Sequence, residues 1–199
     1  TGVQTCALPI CFQSDLGIEV LLAIFNSTKL EEIFYLTEKS AEKGDILISE
    51  NAKRILSLKK NYIQTIDATI SFLQGKNATL AHHIANRNYL PEASRFEGFD
   101  DLRWSFGNMG THDKAKFLCT MYLEDLSDFI KECLDPYFGF SRYAEKLGRS
   151  ANSFDELLAA LQKKPGFIDC ILLKILDEKI SSTDPDLIAL SVPFPGNLF

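Results

Sequence analysis

Few residues in this chain combine the type and spacing that chemistry demands. There are three histidines: His82, His83 and His112. Neighbouring residues on a helix point about 100° apart, so His82 and His83 cannot close on one metal ion. His112 stands far along the chain beside Asp113. A metal or hydrolytic site from the three would need distant segments to converge, and surface or helix-capping roles suit them better. The five cysteines are Cys6, Cys11, Cys119, Cys133 and Cys170. No pair has the C-x-x-C spacing of zinc or redox sites. Cys119, Cys133 and Cys170 fall on apolar helix faces, which predicts buried, reduced thiols in a cytoplasmic protein. Glu124, Asp125 and Asp128 read as the solvated face of a helix rather than a carboxylate catalytic pair. Arg103-Trp104 and the segment from Phe138 to Tyr143 mix aromatic and basic residues, as a packed loop or a pocket wall would. No phosphate-cradling P-loop, G-x-G-x-x-G or nucleophile-bearing G-x-S-x-G is present. That leaves Ser191-Val192-Pro193-Phe194-Pro195-Gly196-Asn197. Here prolines fix the backbone and Gly196 permits close approach.

The elements that would position these residues are mostly helical. Cys11 to Asp15 suits the end of a strand, and Asp15 can cap a dense apolar helix over residues 16–25. Ser27 or Thr28 is expected to cap the next helix, which fades near Gly44. From Ile46 to Leu73 one stripe runs through Ile55, Leu58, Tyr62, Ile66, Ile70 and Leu73 and stops at Gly75. A short helix over 78–85 leads into a long loop, 86–110. Asp113 opens a helix that keeps its period to Cys133 before Pro136. Shorter helices are expected over 137–147 and from Ser153. An amphipathic helix over 167–180 then meets the turn SSTDPD and the apolar run Leu187–Val192. Such a run suits a parallel strand covered on both faces. Ligands of open α/β sheets bind just beyond the carboxyl ends of strands, where Asp15 and SVPFPGN would lie.

Composition narrows the class. The 199 residues carry 21 basic and 27 acidic side chains, a net charge of −6, with 46% hydrophobic residues. This is the balance of a folded globular protein rather than a disordered one. The acidic excess argues against a nucleic-acid surface. No apolar run nears the roughly 20 residues of a membrane span. The first ten residues, TGVQTCALPI, match the translation of a common sequencing adapter and are expected to lie outside the natural fold. The chain reads as a fragment open at both ends.

Three runs carry a resemblance. FQSDLGIEVLLAIF, the middle run DDLRWSFGNMGTHDKAKFLCTMYLEDLSDFI with DPYFGFSRYAEKLGRS, and the terminal PDLIALSVPFPGNLF resemble the N-terminal region of cobalamin-binding-domain radical SAM proteins. The resemblance spans nearly all of residues 12–199. It implies an α/β, Rossmann-like cobalamin-binding domain, present here as about two strands and mostly α because of a large helical insertion. The implied organisation is an adapter-derived segment at 1–10, a partial α/β unit at 11–45, a helical insertion at 46–165, and a helix and strand of the cobalamin domain at 166–199. The implied cofactor is cobalamin, faced by Ser191, Val192, Pro193, Phe194, Pro195, Gly196 and Asn197, with Asp15 at the other strand end. The family's [4Fe–4S] cluster and S-adenosylmethionine belong to a barrel bearing C-x-x-x-C-x-x-C, which this chain lacks. The implied partner is therefore that missing domain in cis, with no nucleic acid and no membrane. The chain would not be catalytic alone. No D-x-H-x-x-G occurs, so a histidine ligand to cobalt is not implied. The alternative reading is a non-enzymatic helical interaction or ligand-sensing module.

Overall fold

A computed structural model describes residues 12–44, 46–97, 110–136, 138–139, 155, 158 and 162–190. Among these the chain is helical: α1 (Leu16–Ile24), α2 (Ser27–Lys43), α3 (Glu50–Ser57), α4 (Lys59–Leu73), α5 (Leu80–Ala85), a 3-10 turn (Ser94–Phe96), α6 (Thr111–Cys133) and α7 (Phe167–Thr183). No helix among them is long and apolar enough to cross a membrane.

Local chemistry sets most of the boundaries. Asp15 caps α1 by accepting from the Ile18 amide at 3.1 Å. α2 is capped by Asn26, whose Oδ1 accepts from the Lys29 amide at 2.9 Å, rather than by Ser27 or Thr28. Ser27 is instead the first helical residue, and its amide donates to Asp67 of α4 at 3.0 Å. Gly44 and Gly75 close α2 and α4 at positive φ, 76° and 78°, where a β-carbon is strained.

The single helix expected over Ile46–Leu73 is two helices broken at Leu58. Ser57 Oγ donates to the Arg54 carbonyl at 2.6 Å, and the Leu58 amide is shared between the carbonyls of Arg54 and Ile55. A hydroxyl competing for backbone carbonyls lets the chain turn there. The break lets α3 pack on α6 while α4 packs on both α2 and α6.

α6 is the centre. Ala115, Leu118, Cys119, Met121, Tyr122, Leu123, Asp125, Leu126, Ser127, Phe129, Ile130 and Cys133 are all buried, so nearly every face is covered. Tyr62 stacks on Tyr122 with centroids 5.1 Å apart, and Phe34 meets Phe129 at 5.3 Å. Such aromatic pairs add about 0.5–1.5 kcal/mol to their burial. The Ser49 amide and hydroxyl, at the start of α3, donate to Glu132 of α6 at 2.7 and 2.8 Å.

Residues 12–15 and 187–190, where strands were expected, carry no ladder. A strand satisfies its amides and carbonyls through a neighbouring strand, and the described residues contain none. Asp155 and Leu158 are helical, in keeping with a helix opening near Ser153. The expected helix over 137–147 lies outside the described residues, apart from Phe138 and Gly139, which are not helical.

Replacing Phe34 by Ala should cost about 3–5 kcal/mol, because it leaves a cavity between α4 and α6. The adjacent, exposed Tyr35 replaced by Ala should cost under about 1 kcal/mol. Chemical denaturation of both variants checks the contrast.

Candidate functional site

Two places collect polar or ligand-facing groups. The first is the pair formed by α1 and α7, which pack together although far apart in sequence. Lys179, near the end of α7, pairs with Glu19 in the first turn of α1 at 2.6 Å and lies 5.3 Å over the Phe12 ring. At the other end, Lys29 of α2 lies 5.5 Å over Phe167, the first residue of α7. The two helices therefore run antiparallel, and residues 12–15 and 184–190 emerge at one end. The Lys179 ammonium, with help from the Ser14 hydroxyl, holds the Glu19 carboxyl below the ordinary carboxylate range.

This layer is incompletely covered. α1 is almost wholly apolar, yet Ile24 is its one buried residue. α7 has no buried residue, and Leu173 on it is half exposed. The run beyond α7 is barer, with Leu187 85% and Leu190 66% exposed. Contiguous exposed apolar surface on a folded protein marks a contact yet to be made.

Of the residues expected to face a cofactor, Asp15 lies at the exposed end of this pair. One of its oxygens is engaged as the α1 cap. Ser191, Val192, Pro193, Phe194, Pro195, Gly196 and Asn197 lie outside the described residues, as do Arg103 and Trp104. In a parallel α/β unit both flanking helices oppose their strands and so run parallel to each other. The antiparallel pairing instead puts Asp15 at the end of the pair from which residues 184–190 lead away.

The second place was misread in the sequence. Asp125 is not on a solvated face but wholly buried. Its Oδ1 accepts from the Arg95 amide at 3.2 Å and more weakly from Ser94 Oγ at 3.5 Å, so it holds the 3-10 turn against α6. Asn51 of α3 grips the same turn by accepting from the Ser94 amide at 3.1 Å. The Arg95 guanidinium reaches past Asp125 to Asp128, at 2.7 and 2.9 Å, and to Glu124 at 2.8 Å. Burial pushes the Asp125 carboxyl up to about 6; the amides of Arg95 and Ala93 and the Arg95 charge oppose that shift. The signal was present. Leu118, Tyr122, Asp125 and Phe129 follow one another at helical spacing, so Asp125 occupies an apolar-stripe position while Glu124 and Asp128 flank it.

The other candidates stay apart. His82 and His83 are exposed on α5, and His112 packs its ring on Phe72 with centroids 5.1 Å apart. Among the described residues no three His, Cys, Asp or Glu side chains converge as metal ligands. Cys119 and Cys133 are buried, and desolvation pushes both thiols up to about 12. Cys170 departs from the expectation, being exposed on the outer side of α7, because α7 has a partner along one face alone. Comparison with protein-family models, curated proteins and solved structures gives no match.

Thiolate is the form that attacks disulfides. A disulfide reagent at pH 8 should therefore modify Cys170 in the folded protein while sparing Cys119 and Cys133. Peptide mapping with and without denaturant reads this directly.

Proposed function

We propose that this chain is an N-terminal part of a cobalamin-dependent radical SAM enzyme and contributes part of its cobalamin site. The observation that carries the proposal is the half-covered α1–α7 layer. It leads directly into an exposed apolar run and then into the family-like SVPFPGN. Helices of this kind, with apolar side chains left partly exposed, suit the outer layer of an α/β sheet whose strands come from neighbouring segments. α3 to α6, within residues 46–165, then stand as the helical insertion, sharing one core with α1 and α2.

The finer reading is a Rossmann-like domain of which this chain supplies about two strands, ending at residues 15 and 192. Corrinoid contact falls first to Ser191–Asn197, where Gly196 lets the backbone approach the ring and the prolines hold the loop open. The antiparallel helix pair weighs against Asp15 as an equal partner in that contact. What Asp15 offers is a free carboxylate oxygen able to accept from an amide N–H at the corrin edge. α1 and α7 contain no histidine, so they supply no imidazole to cobalt. When bound, cobalamin supplies methyl-transfer or radical-controlling chemistry. The iron–sulfur cluster and S-adenosylmethionine belong to a further domain in cis. The setting is cytoplasmic.

A second reading, a helical interaction or sensing module, is favoured by the all-helical core centred on α6, with no metal-ligand cluster among the described residues.

Reading the gene beyond Phe199 separates the two. The enzyme reading expects a C-x-x-x-C-x-x-C motif downstream and a longer protein that purifies with corrinoid absorbance. Replacing Gly196 by Val in that protein should lower corrinoid occupancy at least tenfold, while the 199-residue chain alone should bind little. A stop codon soon after Phe199, or tight corrinoid binding by the isolated chain, overturns it.

A further inference from the structure

Asp125 has one oxygen at work and one idle. Oδ1 holds the 94–96 turn, whereas Oδ2 is buried with no hydrogen-bond partner; the Ala93 amide acts on the carboxyl from nearby without closing a bond to Oδ2. A buried carboxylate oxygen without a donor is costly, because water that would have solvated it has been removed. The nearby cation offsets this cost in part, because Arg95 pairs its guanidinium with Asp128 and Glu124 and acts on Asp125 through its charge alone, against the like charge of Asp128. A second buried oxygen without a partner, the Tyr62 hydroxyl of α4, lies within electrostatic reach, and the charge of Asp125 disfavours its ionisation. Arg54 of α3, whose charge acts on Tyr62, is paired with Glu97 at 2.7 Å. α5 brings to α6 the histidines His82 and His83, both exposed.

We propose that Asp125 is a proton-binding site built into the core: its idle Oδ2 takes up a proton in the folded protein in mildly acidic solution, while Oδ1 keeps hold of the 94–96 turn. The proton goes to the oxygen that has no donor, so the turn loses neither of its bonds. The α5–α6 connection is thus anchored by a carboxylate at neutral pH and by a neutral acid below it.

The sign follows from the two states. The folded carboxyl titrates at about 6 against 3.8 for the ordinary group. Between these values the folded protein holds more protons than the unfolded chain. Stability contributed by Asp125 therefore falls as pH rises through this window, and the penalty is complete above about 6.

The substitution D125N keeps the shape and removes the charge. Its melting temperature should exceed that of the wild-type protein by several degrees at pH 7.5, with the gap closing by pH 5. E124Q should preserve the wild-type pH profile. In parallel, the Asp125 carboxyl carbon of the isotope-labelled wild-type protein is titrated by NMR, which needs no variant to fold. A midpoint near 6 supports the site. A midpoint at or below 4, or a D125N profile that parallels wild type at every pH, overturns it.

Discussion

Everything else in the structure follows from the need to cover α6 on all sides. A helix with one apolar stripe can lie on a surface, but α6 carries apolar residues at 121, 122 and 123 in succession and again at 126, 129 and 130. A helix apolar on most faces must be enclosed. α3, α4, α5 and the 3-10 turn supply that enclosure, and α2 closes over α4. The Leu58 break belongs to the same requirement. A straight helix through residues 50–73 would follow one line, whereas two shorter ones pack on α6 with separate faces.

Enclosing α6 also encloses its polar residues. Ser127 and Asp125 are carried into the core because the residues around them must be there. The protein tolerates Asp125 by bringing the Arg95 amide and Ser94 hydroxyl to one of its oxygens. The surrounding ion pairs contribute much less. Arg95 with Asp128, Arg54 with Glu97 and Lys53 with Glu50 are partly or largely exposed, where such pairs are worth about 0–1 kcal/mol. Among the described residues, electrostatics matters most at Asp125, a carboxylate that water does not reach.

The α1–α7 pair obeys a different rule. It joins the core through Ile24, Phe25 and the partly buried Leu21, Phe167 and Ile171, yet it keeps Ile18 and Leu173 half in water. Burying apolar surface is worth about 25 cal/mol per Å². A layer that leaves such area open beside the bare run Leu187–Leu190 is a layer awaiting a cover. That contrast, a packed core beside a partly exposed face, is the physical basis of the function proposed for this chain.

Much of this was legible in residue order. Asp15 as a cap, Gly44 and Gly75 as stops, and the period of α4, α6 and α7 are local matters, set by side chains within a few positions of one another. The histidines' failure to converge was equally plain from their spacing. The break at Leu58 was not, because the apolar stripe runs through it unbroken and the packing of α3 and α4 on different partners decides it. Nor were the exposure of Cys170 and the antiparallel pairing of α1 with α7, which depend on contacts between residues more than a hundred positions apart. Apart from the break at Leu58, sequence alone determined where the described helices form and which residues they offer to a core. Tertiary structure alone decided which of those offers were taken up, and so made Asp125 a buried acid while its neighbours Glu124 and Asp128 stayed in reach of Arg95. Helical period is a local property of the backbone, but burial is a property of whatever the chain brings back from far away.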